Sequence, residues 1–253
     1  MIKLYFIGTG AGGSPGSRRW RASTLVDFGE KMLLVDCGVG CHYRLSERGL
    51  LNSIDAIYVT HLHMDHFLGI PELLFQAHIE GRKKDITIFA PHGMREIIAH
   101  VGPHLFTAIN FKINVVEIYD GFSYNLDSFK LEVYEVCHTL PSYALKISNN
   151  NLSLLFSSDT GELCQKLLDR VKHIDVLIHE ATCDEENKNI CKEYGHSTNI
   201  EACMIANSLN AKILILNHID EYFNKNLRNE IDELKKLFKG ELIIAEDNYL
   251  LII

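Results

Sequence analysis

No apolar run in the 253 residues approaches the ~20 needed to span a bilayer. The opening stretch, MIKLYFIGTG, is also too short for the apolar core of a secretory leader, so the cytoplasm is the expected compartment. Cations are the minority charge. With 25 Lys and Arg against 33 Asp and Glu, the net charge of −8 argues against broad nucleic-acid binding, although a local basic patch can still hold phosphates. The CxxC pattern is absent, and the seven cysteines (37, 41, 137, 164, 183, 191 and 203) are odd in number and scattered. Reduced thiols are therefore expected, not a disulfide framework. Internal repeats, low-complexity tracts and linkers are missing too. A single domain over residues 1–253 is expected, long enough to bury a sizeable core.

Against these absences stands one dense stretch, Thr60-His61-Leu62-His63-Met64-Asp65-His66, directly after the apolar run Ile54 to Val59. Imidazole and carboxylate both donate a lone pair to a divalent cation such as Zn²⁺ at about 2 Å. Alternation in an extended or tightly turned segment aims His61 and His63 one way, while Asp65 and His66 point to an adjacent place. That arrangement serves two metals side by side. A lone HxH is more often an idle surface loop, but here four ligand-capable side chains crowd into six residues and further candidates lie downstream.

The first strand, Ile2 to Ile7, runs into Gly8-Thr9-Gly10-Ala11-Gly12-Gly13, a literal GxGxxG. A dinucleotide fold needs those glycines to open a helix whose N-terminus carries the pyrophosphate. Ser14-Pro15-Gly16-Ser17 breaks any such helix, and 23–28 with 31–36 form a hairpin around Gly29 in place of a crossover. A glycine loop packed near a metal site is the better reading. Helices are expected at 39–49, 71–79 and 93–101, with strands at 54–59 and 86–90. Arg82-Lys83-Lys84 reads as a solvated charge run. Strands follow at 113–118, 129–137, 143–148 and 152–156, with turn signals at Asp120-Gly121 and Asn149-Asn150-Asn151. Helices at 161–170, 184–193, 198–209 and 223–238 then alternate with strands at 174–179, 212–217, 241–245 and 249–252. Strand-rich blocks ending in helices, given twice, predict an α/β (α+β) fold with four αββα layers.

Four more ligand candidates close strands, where buried sites gather their side chains. These are His138 after 131–137, Asp159 after 154–158, His179 after 176–178 and His218 after 213–217. Singly, each reads equally well as a satisfied core histidine or a helix-capping aspartate. Together with Gly8-Thr9-Gly10, the Pro15/Arg19/Ser23 spacing and Leu34-Val35-Asp36-Cys37-Gly38, they make a longer pattern. It continues through His61 to His66, Gly69-Ile70-Pro71, His138 and Ser158-Asp159-Thr160. It ends in His179-Glu180-Ala181-Thr182, Gly195-His196-Ser197-Thr198 and Asn217-His218. In this order the chain resembles metallo-β-lactamase-fold hydrolases, and among them the zinc phosphodiesterases of the ribonuclease Z group.

The resemblance implies one metal on His61, His63 and His138, a second on Asp65, His66 and His218, and Asp159 bridging both. Two Zn²⁺ are implied, with Mn²⁺ or Fe compatible with similar ligands. Asp65 gains a catalytic role as acceptor of the proton from the metal-activated water. His196 is the implied general acid for a phosphodiester's leaving alkoxide, with Glu180 as its orienting carboxylate. His179 then orients and does not ligate, because every ligand place is filled, and Asp36 holds a ligand histidine in its tautomer. A homodimer is also implied, with 71–79 as its contact. The pattern departs from the family in places. Only 20 residues (139–158) separate His138 from Asp159, too few for the arm that reaches transfer RNA. Trp20 replaces an asparagine, Val39 an acid and Asp220 a serine, while the arginines at 18, 19 and 21 can hold a phosphate. The substrate class expected is a phosphodiester, a small molecule or RNA. A lactone or thioester hydrolase on the same fold and a non-catalytic metal- or nucleotide-binding module are the alternatives.

Overall fold

The computed structural model describes residues 1–105, 109–161 and 163–253, and the chain divides into two compact units. The first comprises residues 1–9, 20–118 and 246–253; the second comprises 10–19 and 119–245.

In the first unit, β1 (Lys3–Gly8), β2 (Ser23–Asp27) and β3 (Met32–Val35) pair antiparallel, then β4 (Ala56–Tyr58), β5 (Ile86–Ala90) and β6 (Ile113–Glu117) add on in parallel. Their sequences explain the change. Strands covered on both faces need continuous apolar runs, and every residue of AIY in β4 is buried. Helices α1 (Cys41–Glu47), α2 (Met64–Phe67), α3 (Ile70–Ile79) and α4 (Met94–Leu105) fill the connections. Leu34, Ile57, Ile88, Leu45, Leu73 and Leu74 belong to the core they enclose. The glycine-rich loop after β1 opens no helix; among the described residues the first is α1. Arg82 corrects the reading of a solvated charge run. It is 3% exposed, donates to the carbonyls of Asn52, Ile54, Lys84 and Asp85, and lies over the Phe111 ring, while Lys83 and Lys84 remain exposed.

The second unit repeats the plan, antiparallel strands first and parallel ones after them. β7 (Ser123–Leu126), β8 (Phe129–Glu135), β9 (Tyr143–Ser148) and β10 (Ser153–Phe156) pair antiparallel, and β11 (Val176–Glu180), β12 (Ile213–Asn217) and β13 (Glu241–Ile244) continue in parallel. Helices α5 (Gln165–Leu168), α6 (Lys188–Tyr194), α7 (Asn199–Ser208) and α8 (Leu227–Leu237) connect them, and β14 (Tyr249–Ile252) returns to pair with β1 in the first unit. β7 is not among the expected strands because three of its four residues are exposed, which leaves it without apolar alternation. The helix expected at 161–170 contracts to α5; position 162 lies outside the described residues. The helix expected from 223 starts only at Leu227, because Asp220 draws the N–H groups of Tyr222 and Phe223 into a turn. Among the described residues no helix is long and apolar enough to cross a membrane.

Six of the seven cysteines are paired, contrary to the reduced-thiol expectation. Cys37 bonds Cys41 in the first unit; Cys137 bonds Cys164 and Cys183 bonds Cys191 in the second. Their Cα atoms stand 5.5, 5.6 and 6.1 Å apart, inside the range a disulfide allows. No CxxC is involved. Strand ends meet nearby turns and helices, a proximity that scattered sequence positions do not reveal. Cys203 stays single, and burial pushes its thiol up to about 11.

Candidate metal centre

Asp36 follows β3, the HLHMDH donors follow β4, Asp159 follows β10 and His218 follows β12, at C-terminal ends of parallel-paired strands, the edge where open α/β sheets present ligands, whereas His138 follows the antiparallel β8. Three of these ends share a backbone device. Asp36 just after β3, Ser158 just before Asp159 and His218 just after β12 all have left-handed φ values, of 59°, 59° and 51°. For a residue bearing a Cβ this conformation costs about 1–2 kcal/mol. It turns the chain sharply at the end of a strand, and strain of this kind concentrates at functional sites.

In the first unit the motif after β4 is wired to Asp36. One carboxylate oxygen accepts the Thr60 N–H at 2.8 Å; the other accepts the Thr60 hydroxyl at 2.9 Å and faces His66 Nδ1 at 2.8 Å. Nδ1–H of His66 donates to that carboxylate, which leaves Nε2 as the lone-pair nitrogen; the Asp65 carboxylate lies 3.5 Å from Nε2. The Thr60 oxygen in turn faces His61 Nδ1 at 3.1 Å, which fixes Nε2 of His61 as the acceptor nitrogen. That atom stands 3.0 Å from His63 Nδ1. Two nitrogens bound to one tetrahedral cation at 2.0–2.1 Å would be about 3.3 Å apart, so the spacing suits a shared ion.

The second unit holds His138, Asp159, His179, Glu180, His196 and His218. His138 Nδ1 donates to the Gly195 carbonyl at 2.7 Å, again leaving Nε2 as the lone-pair nitrogen, and burial lowers its pKa so that the ring stays neutral, as a ligand must be. Gly195 has φ 70°, and a Cβ there would sit 3.1 Å from His138 Nδ1, so this close approach needs glycine. Asp159, His196 and His218 offer ligand atoms within 4.8 Å of one another. The Asp159 carboxylate lies 3.5 Å from His218 Nδ1 and 3.9 Å from His196 Nδ1.

Glu180 organises this half. Its Oε1 accepts the Thr160 N–H at 2.7 Å and lies 3.1 Å from His196 Nδ1; its Oε2 accepts the Thr182 hydroxyl at 2.6 Å. Burial pushes the carboxyl upward, but the charge and hydrogen bond of His196 outweigh it and hold Glu180 below the usual carboxylate range. His196 is held by its own chain as well, through its N–H to the Cys191 carbonyl at 2.8 Å. His179 stands apart. Its Nδ1 donates to the Glu180 carbonyl at 2.7 Å, its pKa is lowered by complete burial, and it enters no cation-capable grouping among the described residues.

Thr60 and Thr182 are the working side chains that sequence reading left without a role. Thr182 lies 3.1 Å from His218 Nδ1 and 3.4 Å from His196 Nδ1 while donating to Glu180. Its place three residues after His179 in the HEAT segment was the available signal.

Comparison with known proteins places this geometry. The sequence profile of the family described as anti-Pycsar protein Apyc1 matches residues 2–239. The ribonuclease Z of Methanocaldococcus jannaschii is 32% identical, covering 98% of this chain and 96% of its own. That alignment runs to 312 positions, so the relative carries segments this chain lacks. The short form of human tRNase Z (ELAC1) superimposes with a TM-score of 0.83 at 26% identity over 99% of both chains. The metallo-β-lactamase fold protein YhfI from Bacillus subtilis gives 0.84 at 22% identity over the whole of both.

Proposed function

Because this chain belongs to the Apyc1 family of metallo-β-lactamase-fold hydrolases and is related over its full length to ribonuclease Z, we propose that it is a binuclear metallophosphodiesterase acting on a small nucleotide. The observation that carries the reading is the His196–Glu180 pair, 3.1 Å apart and beside Asp159 and His218. A carboxylate on an imidazole favours the protonated ring, and a protonated ring is what a departing alkoxide requires.

The reading takes the two units as one metallo-β-lactamase-like domain over residues 1–253. His61, His63 and His138 would hold one ion, Asp65, His66 and His218 the other, with Asp159 available to both. The donor chemistry fits, since hydrogen bonds fix His61, His66 and His138 with Nε2 as the ligating nitrogen. Bound there, a Zn²⁺ pair supplies an activated water and a clamp for the phosphate oxygens. Asp65 would accept the proton of the attacking water. His196, oriented by Glu180 and Thr182, delivers a proton to the leaving oxygen. His179 supports Glu180 through its carbonyl and takes no metal. The short interval between His138 and Asp159 favours a small substrate over transfer RNA, and the Apyc1 family makes cyclic nucleotides the first to try.

The test is hydrolysis of bis(p-nitrophenyl) phosphate and of 3′,5′-cyclic nucleotides by zinc-loaded protein. Turnover should vanish on chelation, return with Zn²⁺, and be lost in Asp65→Ala. Metal-replete protein that turns over neither substrate, or prefers lactones or thioesters, refutes the proposal.

A further inference from the structure

A second feature of the second unit has no part in the chemistry above. A cavity of about 490 Å³ begins one residue past His218, with Ile219 in its wall. Four cations line it: Arg18 and Arg19 from the glycine-rich first loop, Lys225 just before α8 and Arg228 in its first turn. One carboxylate, Glu221, lies among them, and it already accepts the backbone N–H of Arg18. In a chain with a net charge of −8, such a convergence runs against the prevailing sign.

The walls are built and not draped. Gly10 bridges Ile219, the Ala11 N–H donates to the Ile219 carbonyl at 3.2 Å, and the Ser14 hydroxyl donates to Asp220. The other oxygen of Asp220 caps the turn through the N–H groups of Tyr222 and Phe223. Arg19 is anchored by donating to the Ala245 carbonyl at 2.7 Å. The two basic segments thus belong to one preorganised rim, where guanidinium forks match phosphate oxygens in pairs.

The geometry points to a binding subsite for a second, non-reacting phosphate, so that the preferred substrate is a phosphodiester of a nucleotide carrying a further phosphate within about one nucleotide of the scissile bond. This rests on the phosphodiesterase reading for its substrate, and its test separates the two. Zinc-loaded protein is assayed with the p-nitrophenyl ester of thymidine 5′-phosphate and with the same ester bearing a 3′-phosphate. The 3′-phosphate should lower KM by about 10–100-fold, the worth of one to two charge-assisted contacts. In Lys225→Ala/Arg228→Ala the two esters should become nearly equivalent. Equal KM values in the unaltered protein, or a difference that survives the double substitution, overturns the subsite.

If the protein hydrolyses neither ester, the phosphodiesterase reading has failed, and the cavity is judged by calorimetric binding of thymidine 3′,5′-bisphosphate. Weakening of at least tenfold in the double variant then supports the subsite; equal affinity in both proteins, or binding in neither, refutes it. Both substituted side chains are exposed, so a thermal melt matching the unaltered protein should show that the fold is intact.

Discussion

Replacing Glu180 with glutamine is the sharpest probe of the acid assigned to His196. The amide keeps the size of the carboxyl. Its oxygen can still accept the Thr160 N–H, and Thr182 can reverse its hydroxyl to accept from the amide nitrogen while donating to the His218 carbonyl, 3.2 Å away. Folding should therefore lose only about 1 kcal/mol, the worth of one rearranged hydrogen bond. What disappears is the charge. At 3.1 Å the gross attraction between carboxylate and imidazolium is of order 5 kcal/mol at an effective dielectric of about 20. Most of that is offset by desolvation of a pair whose side chains are 1% and 16% exposed. The net worth of a charged hydrogen bond, about 1.5–3 kcal/mol, is the better guide, and it corresponds to roughly a 10–150-fold fall in kcat. The fall should depend on the leaving group. Across aryl and alkyl esters of thymidine 5′-phosphate, E180Q should be slowed most on alkyl esters, whose alkoxide needs a proton, and least on p-nitrophenyl esters. A uniform loss across the series would show that Glu180 acts on something other than leaving-group protonation.

Three further outcomes follow from particular contacts. Thr198 closes a capping box on α7, with its side chain accepting the Glu201 N–H and Glu201 accepting the Thr198 N–H at 2.9 Å; Thr198→Ala should cost about 1 kcal/mol in chemical denaturation and loosen the neighbouring His196 segment in hydrogen exchange. Gly40 has φ 86°, and a Cβ there would collide with the Trp20 ring; Gly40→Ala should cost about 2–3 kcal/mol and shift the emission of this single tryptophan, whereas unchanged fluorescence and stability would refute the packing. Asp55 is drawn upward by desolvation but held lower overall by Lys84 at 2.7 Å, the Met32 N–H and Lys31. With its folded pKa depressed, its contribution is complete above the unfolded value near 3.8 and fades as pH falls through the folded one. Asp55→Asn should therefore cost about 1–2 kcal/mol at pH 7 and little near pH 2, read from urea midpoints across that range.

Legibility in the sequence followed physical locality. The HLHMDH turn announced itself because its donors lie within six residues, and the strand-end histidines because apolar runs stop where they begin. The parallel strands were equally plain, since burial on both faces requires unbroken runs such as VLI in β11 and ILIL in β12. What escaped depends on contacts distant in sequence. Arg82 looks like part of a charged loop until its guanidinium is seen feeding four carbonyls. Cys137 and Cys164 are 27 residues apart and meet only once β8 and the turn before α5 are in place. Thr182 is an ordinary threonine until Glu180 is folded back onto it. The cation-lined cavity escaped because three of its lining residues precede residue 20 and the other six lie between 219 and 228.

The cysteine pairs bear on how samples of this protein should be handled. Cys37 adjoins Asp36, Cys137 adjoins His138, and Cys183 follows Thr182. Opened by dithiothreitol, they would free soft sulfur donors, three of them adjacent in sequence to site residues, and thiolates rank among zinc's preferred partners. Air-oxidised and thiol-treated batches should therefore carry different zinc loads, with the excess in the reduced batch bound where it does no chemistry. Purification history, recorded alongside catalytic rate, becomes a variable in its own right.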